Sequence, residues 1–240
     1  MPRKQSNSNG NGNGSEYSKI NSKTCHSRIT LKALNEKQKD VLKSIKDNKV
    51  TIIYGAPGSG KTFLSVIQGL KDFLENKKYR KIIFTRPCVE AFGEKIGFLP
   101  GDFNDKIHPY MMPIFNILED HLDVNFLNKL IKDRNILTIP IAYLRGMNFD
   151  YTYVVADEMQ NSIPEQMHLL LTRLGKKSKI IITGDINQTD IDRKEKNGLK
   201  DAIIRLDGVK DIGIIDMGKE LIVRDPLIIE IEKKYNEQEN

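Results

Sequence analysis

The sequence predicts an α/β fold in which helices cover both faces of a mostly parallel sheet. Short apolar runs such as VTIIY and KIIIT alternate along the chain with longer segments whose apolar residues recur at helical spacing. These runs lack the apolar–polar alternation of half-exposed strands, which indicates strands that are buried on both faces. Ligands bind such sheets at the carboxyl ends of the strands, so we expect functional residues where strands turn into loops.

The first half of the chain is predicted to alternate between helices and strands. Val41, Leu42 and Ile45 lie on one face of the first predicted helix, and Pro87 ends the second strand because proline cannot donate to a strand ladder. The predicted elements are a helix at 35–48, a strand at 50–55, a helix at 61–76 and a strand at 81–87. They are followed by a long insertion at 88–135, with two helices expected around 106–120 and 123–133.

The second half continues the alternation. A predicted helix at 164–175 has Pro164 in its first turn and Gly175 at its end, positions that these residues favour. The other predicted elements are a partly extended segment at 136–144, strands at 151–157, 178–185 and 212–217, and helices at 198–206 and 225–235. A single domain is therefore predicted for residues 31–240.

Residues 1–30 are predicted to form a disordered basic tail, because Asn, Gly and Ser dominate its first half and cannot bury apolar area. The segment contains five Lys or Arg and one acid, so it carries +4 of the net charge of +6. A flexible solubilising tail and a contact with nucleic acid both account for this charge. The rest of the chain carries only +2.

Three observations exclude other classes of protein. No apolar run approaches the length of a transmembrane helix, and residues 1–10 lack the apolar core of a secretory signal. The two cysteines, Cys25 and Cys88, give no disulfide framework. We therefore expect a soluble protein of the reducing cytoplasm, with no membrane partner.

The segment GAPGSGKT at residues 55–62 satisfies the phosphate-loop pattern G-x-x-x-x-G-K-[ST] in full. At average residue usage, a chance match in a chain of this length has odds of roughly one in a hundred. In this pattern Lys61 reaches the β- and γ-phosphates of a nucleotide and the Thr62 hydroxyl binds Mg²⁺, while backbone N–H groups surround the phosphates. The candidate nucleotide-binding residues are Gly55, Ala56, Pro57, Gly58, Ser59, Gly60, Lys61, Thr62 and Phe63.

Asp157 and Glu158 follow directly after the apolar run YTYVVA. Acids suit a helix N-terminus, so the start of a helix is one explanation. A chemical explanation fits the phosphate loop: Asp157 holds Mg²⁺ and Glu158 polarises the attacking water as a general base. The predicted helix begins several residues later, near Ser162–Pro164, which favours the chemical explanation.

The segment TGDINQTD at residues 183–190 repeats this pattern at the end of the next predicted strand. An amide side chain such as that of Gln188 could hydrogen-bond the γ-phosphate or the attacking water. The alternative is a turn with polar capping residues.

The order of these blocks resembles the PhoH family of ATPases. The matching segments are GAPGSGKT, TRPCVEAFGEKIGFLPGD at 85–102, the stretch from PIAYLRGMNF to GDINQTDI at 140–191, and VRDPLI at 223–228. The resemblance covers about residues 33–235, and the DEMQN and GDINQ blocks are also similar to the core of superfamily 1 helicases. It implies a RecA-like P-loop domain that binds and hydrolyses ATP with Mg²⁺, assembles as a ring, expected to be a hexamer, and acts on RNA in some relatives.

The resemblance also assigns roles to individual residues. Lys61 and Thr62 match the phosphate and Mg²⁺ positions, and Asp157 and Glu158 match the metal and hydrolysis positions. Two amides match as well: Gln160 corresponds to the DEAQ amide and Gln188 to the γ-phosphate sensor. Met159 stands where the family pattern has a small residue, and we expect its side chain to pack inward.

The resemblance leaves four residues with two explanations each. Gln38 matches the helicase glutamine that reads adenine, although an exposed helix glutamine is common. Arg86, at a strand end, either contacts a nucleic-acid strand or pairs with an acid such as Glu90 or Glu94. Helicases of this type also need an arginine from a second domain, so here it is expected from a neighbouring subunit, with Arg173 and Arg224 as candidates. Each of these two arginines could equally form a surface ion pair.

The sequence therefore predicts an Mg²⁺-dependent ATPase, with single-stranded RNA or DNA as a further expected partner. Two other classes remain open. A P-loop kinase would transfer the γ-phosphate to a small molecule, although Glu158 suits a water nucleophile better. A nucleotide-sensing module would bind ATP and act through assembly with little turnover.

Overall fold

The computed structural model describes residues 29–87, 103–188 and 196–218, together with residues 227, 230, 231 and 234. Six strands lie in these ranges: β1 (Val50–Tyr54), β2 (Lys81–Thr85), β3 (Ile136–Thr138), β4 (Thr152–Ala156), β5 (Lys179–Gly184) and β6 (Ile212–Asp216). All of their pairings are parallel, in the order β3-β2-β4-β5-β1-β6. This is the RecA-like α/β architecture expected from the sequence.

The helices agree closely with the apolar periodicity. They are α1 (Glu36–Asp47), α2 (Lys61–Leu74), α3 (Phe103–Glu119), α4 (Val124–Lys132), α5 (Pro164–Leu171) and α6 (Gly198–Leu206), and short 3₁₀ turns lie at Ile141–Leu144 and Met159–Asn161. Three helices have polar N-caps whose side-chain oxygens accept a backbone N–H, namely Asn35, Asp123 and Asn197.

Helices cover both faces of the sheet, as predicted. Along β4, Tyr153 and Val155 pack into the cluster formed with α1, α2, α3 and α4, whereas Val154 and Ala156 pack against α5 and α6. Every residue of β4 is buried. Strands covered on both faces need apolar side chains in both directions, which explains the continuous apolar runs.

The predicted helix at 164–175 is too long. α5 ends at Leu171, and Leu174 instead forms an isolated parallel bridge with Phe149. Gly175 does not end the helix: a Cβ there would lie 2.6 Å from the Phe149 carbonyl oxygen. This glycine is needed because the segment before β4 passes too close for a side chain.

The C-terminal end of α1 is fixed to the sheet by Lys179, at the start of β5. Its ammonium donates to the backbone carbonyls of Ile45, Lys46 and Asn48, at 3.2 Å for Lys46 and 2.5 Å for Asn48. Burial lowers the pKa of Lys179 to about 8, so the side chain is still mainly charged at neutral pH. α1 is thereby held where its other end packs against residues 55–62.

Three predicted segments fall largely outside the described residues: the tail at 1–30 except residues 29 and 30, the first part of the insertion at 88–102, and most of the closing helix at 225–235. Residues 227, 230, 231 and 234 of that last segment are helical. Among the residues placed by the structure, no helix combines the length and apolar character needed to cross a membrane.

Candidate nucleotide-binding site

Residues 55–60 join β1 to α2 in a tightly curled loop. Gly58 and Gly60 have φ angles of 77° and 88°, a conformation that residues with a side chain rarely adopt. α2 begins at Lys61, with Gly60 as its N-cap. The loop therefore lies in front of the positive end of a helix dipole, which is a favourable place for an anion.

The Lys61 side chain folds back across this loop. Its ammonium donates to the carbonyl oxygens of Gly55 at 2.7 Å and Ala56 at 2.8 Å, and the Ser59 hydroxyl donates to the same Ala56 oxygen at 2.9 Å. The side chain is mostly buried. These contacts hold a positive charge at the point where the loop meets the pocket described below.

The Asp157 carboxylate lies at the end of β4 and accepts hydrogen bonds from three other segments. Oδ1 accepts from the hydroxyls of Thr62, at 2.8 Å, and Thr183. Oδ2 accepts from the Arg86 guanidinium through Nε, at 3.0 Å, and Nη2. Asp157 is only 1% exposed, so these donors replace the water that would otherwise solvate the charge.

The Thr62 and Asp157 oxygens are suited to Mg²⁺. A hydroxyl and a carboxylate 2.8 Å apart are hard oxygen donors that this ion prefers. Among the described residues no group of three or more His, Cys, Asp or Glu side chains forms a metal cage. The Thr62 and Asp157 oxygens fit an ion that takes its other ligands from water and from a phosphate, as Mg²⁺ commonly does.

Glu158 is held by an amide that connects two strand ends. Its Oε2 accepts from Gln160 Nε2 at 2.6 Å, and Gln160 Oε1 accepts from the Asp185 backbone N–H at 3.0 Å. Asn197, at the start of α6, donates to the Gln160 carbonyl at 2.9 Å. α5 begins only at Pro164, so the acid pair does not lie at its N-terminus; Glu158 is instead the N-cap of the short 3₁₀ turn at Met159–Asn161.

The side chains at the ends of β1, β4 and β5 surround one pocket with a volume of about 260 Å³. It contains five of the predicted catalytic or metal-binding residues and also Asp185, which the sequence placed only in a turn. Its lining consists of Pro57, Gly58, Gly60, Lys61, Thr62, Asp157, Glu158, Gly184, Asp185 and Gln188. The signal for Asp185 was present, because TGD at the end of β5 repeats the pattern of VAD at the end of β4.

Several predicted site residues do not line this pocket. Gly55, Ala56 and Ser59 belong to the loop but are not among the lining residues. Gln38 packs beneath it, where Nε2 donates to the Ser59 carbonyl at 3.2 Å and Oε1 accepts from the Leu34 N–H at 2.8 Å. The Phe63 ring points away to within 5.6 Å of the His121 ring centroid.

The two candidate arginines lie elsewhere. Arg173 follows α5 at the amino edge of the sheet, where its guanidinium is 3.4 Å from the Met147 carbonyl oxygen and 3.3 Å from the Thr172 hydroxyl. It is therefore remote from the pocket of its own chain. Arg224 lies outside the described residues.

Arg86 pairs with an acid, Asp157. The predicted partners Glu90 and Glu94 fall outside the described residues. Its third donor, Nη1, reaches the Tyr110 carbonyl oxygen of α3 at 2.7 Å. With all three groups of donors engaged inside the protein, the guanidinium is not presented to a nucleic-acid strand.

The parallel sheet, the glycine loop before α2 and the acids at the end of β4 define a P-loop NTPase. A family model described as "PhoH-like protein" matches residues 30–236, and the chain belongs to this family. A PhoH-like protein of Bacillus subtilis is 41% identical over 201 residues, covering 84% of this chain and 62% of the relative. Protein PhoH of Escherichia coli K12 is 36% identical over 197 residues, covering 81% and 55%. The chain thus spans less than two thirds of the length of these relatives.

Solved structures of helicases are also similar to the chain, with lower sequence identity than these relatives. The Pif1 helicase of Candida albicans has a TM-score of 0.43 and 15% identity, with 85% of this chain and 44% of that chain covered. A Bacteroides Pif1 bound to single-stranded DNA has a TM-score of 0.37 and 18% identity, with 84% and 46% covered.

The Arg86–Asp157 pair gives a stability prediction. Asp157→Ala leaves a guanidinium that is only 12% exposed without its carboxylate, so the free energy of unfolding should fall by about 3 kcal/mol. Asp201→Ala, which removes the acid of the exposed Arg205–Asp201 pair, should cost less than about 1 kcal/mol. Urea denaturation followed by circular dichroism measures both.

A double variant isolates the pair. In Asp157→Ala/Arg86→Met the unpaired charge is gone, so part of the loss should be recovered. Equal losses for Asp157→Ala and Asp201→Ala would show that the ion pair is not a major source of stability.

Proposed function

We propose that the chain is an Mg²⁺-dependent ATPase. The observation that carries this proposal is the convergence of Lys61, Thr62, Asp157 and Glu158 on one pocket at the carboxyl ends of three parallel strands. The membership in the PhoH-like family supports it. We also propose a cytoplasmic location, because the two cysteines, Cys25 and Cys88, give no disulfide framework.

Each residue of the pocket has its own role in the proposed hydrolysis of ATP. Backbone N–H groups of residues 57–61 and the Lys61 ammonium hold the β- and γ-phosphates, and Thr62 and Asp157 hold Mg²⁺, which neutralises phosphate charge when bound. Glu158 accepts the proton of the water whose oxygen attacks the γ-phosphorus. The bond from that phosphorus to the bridging oxygen breaks, and ADP and phosphate result.

Two amides assist this chemistry in our proposal. Gln160 keeps the Glu158 carboxylate oriented through the 2.6 Å hydrogen bond. Gln188 lines the same pocket and is exposed towards it, so its side chain can hydrogen-bond the γ-phosphate or the water. We assign adenine to the region near Gln38 only through family resemblance, because its amide already bonds Leu34 and Ser59.

Two substitutions separate nucleotide binding from hydrolysis. Glu158→Gln should lower the rate of ATP hydrolysis by at least about 100-fold, because a general base is lost, while nucleotide affinity is retained. Lys61→Ala should weaken nucleotide affinity itself. Lys71→Ala, on the same helix but away from the pocket, serves as the control. Phosphate release and calorimetric titration of a non-hydrolysable ATP analogue give the two readouts.

The same assay distinguishes the alternative functions. Wild-type turnover in Lys61→Ala would contradict the ATPase proposal. Transfer of labelled γ-phosphate to a small molecule would instead indicate a P-loop kinase. Tight ATP binding with the nucleotide intact after hours would indicate a sensing module.

We further propose that the active form is a ring, expected to be a hexamer, in which a neighbouring subunit supplies an arginine. Arg173 lies at the amino edge of the sheet, away from its own pocket, so it could act on a nucleotide only in a neighbouring subunit. Arg173→Ala or Arg224→Ala should reduce turnover by about 1000-fold, a typical effect of removing such an arginine. Light scattering defines the oligomer. Full activity in both variants, or an active monomer, would contradict this proposal.

Single-stranded RNA or DNA is the further partner that we propose. The charge of +4 on residues 1–30 supports attraction to a polyanion. Binding of labelled oligonucleotides should weaken steeply with salt, and deletion of residues 2–28 should reduce both affinity and salt dependence. The absence of binding at low salt would remove nucleic acid from the proposal.

A further inference from the structure

Arg86 connects the candidate metal-binding acid to a segment outside the sheet. Two of its nitrogens contact Asp157 Oδ2, and the third, Nη1, donates to the backbone carbonyl oxygen of Tyr110 at 2.7 Å. Tyr110 lies in α3, part of the insertion between β2 and β3. One planar guanidinium therefore bridges the pocket and α3, with little freedom to move while both contacts persist.

α3 contains two prolines, Pro109 and Pro113. Pro113 removes the hydrogen bond to the carbonyl oxygen of residue 109 and crowds the turn that precedes it, so the backbone of that turn is held less firmly than in a regular helix. Tyr110 lies in that preceding turn. Its carbonyl oxygen has a second lone pair that a side-chain donor can use, so the position of Arg86 and the position of this turn of α3 depend on each other.

The Asp157 carboxylate cannot bind the Arg86 guanidinium and a divalent metal ion equally well at the same time. Its Oδ1 already accepts from Thr62 and Thr183, and its Oδ2 carries the guanidinium. A hydrated divalent cation at the carboxylate faces the positive charge of Arg86 at close range, and in a site that is nearly inaccessible to solvent this repulsion is weakly screened.

We propose that Arg86 is a positioning residue that competes with Mg²⁺ for Asp157 and passes the outcome to α3. This inference rests on the proposed function. When Mg²⁺ and nucleotide bind, Arg86 shifts away from Oδ2, its contact with Tyr110 changes, and the turn of α3 around Tyr110 is released. The conformation of α3, which is part of the insertion, therefore changes when the pocket is filled. This change couples nucleotide binding to a surface outside the sheet.

The inference predicts how binding depends on Mg²⁺. In Arg86→Gln the competing charge is gone, so the Mg²⁺ concentration for half-maximal binding of AMP-PNP, a non-hydrolysable ATP analogue, should fall about tenfold, or ~1.4 kcal/mol. Arg86→Lys keeps a charge but loses the fork geometry, so its Mg²⁺ dependence should stay near wild type. Arg80→Gln removes an arginine at the other end of β2 and should change nothing. Calorimetric titration measures all four proteins.

Amide hydrogen exchange tests the link to α3. In the wild type, adding Mg²⁺ to the protein with AMP-PNP should speed exchange at residues 111–119. Arg86→Lys cannot reach Asp157 and Tyr110 together, so it should lose this response even where it retains its Mg²⁺ dependence. Circular dichroism establishes that each variant is folded.

The possible failures are distinguishable. If the wild type binds no AMP-PNP with or without Mg²⁺, the proposed function is overturned, and this inference with it. If the wild type binds AMP-PNP but Arg86→Gln shows the wild-type exchange response at α3, this inference alone is overturned. Should Arg86→Gln not fold, the same response in Arg86→Lys overturns it. An unchanged Mg²⁺ dependence in folded Arg86→Gln overturns it equally.

Discussion

The carboxylate of Asp157 is the interaction on which the site depends. Its hydrogen-bond donors come from the start of α2, the end of β5 and the residue after β2, so four separate segments are fixed by one charge. A buried carboxylate without these donors would be strongly destabilising. The same group that makes the site suitable for Mg²⁺ thus also holds the loop, the sheet and Arg86 in place.

The strand order determines which residues can take part. β5 lies between β1 and β4, and Ile182 is level with Ile52 on one side and with Ala156 on the other. Thr183 and Asp185 therefore reach the space between the glycine loop and the acid pair. The conformation of Glu158 belongs to this arrangement: its φ of 55° is unfavourable for a residue with a side chain, and the hydrogen bond from Gln160 helps to hold it there.

Much of the fold and of the candidate site could be predicted, because short sequence patterns indicate them. Apolar runs predicted the strands, and GAPGSGKT and DE after a strand predicted most of the pocket. The partners of Arg86 could not be predicted in this way, because Asp157 lies 71 residues away along the chain and only the sheet order brings them together. Gly175 was misread for a similar reason: its role depends on the close approach of Phe149, which no local pattern reveals.

The packing at the end of β5 explains two further features of the sequence. Met159 is fully buried, so its side chain packs inward as expected, and it does so against the α5 and α6 side of the sheet. Gly184 faces the same 3₁₀ turn, and a Cβ there would lie 2.6 Å from both Gln160 Oε1 and the Leu199 side chain. Glycine is therefore required if Gln160 is to bridge Glu158 and the Asp185 backbone. The geometry of the candidate general base is thus set by a residue on a different strand that carries no side chain at all.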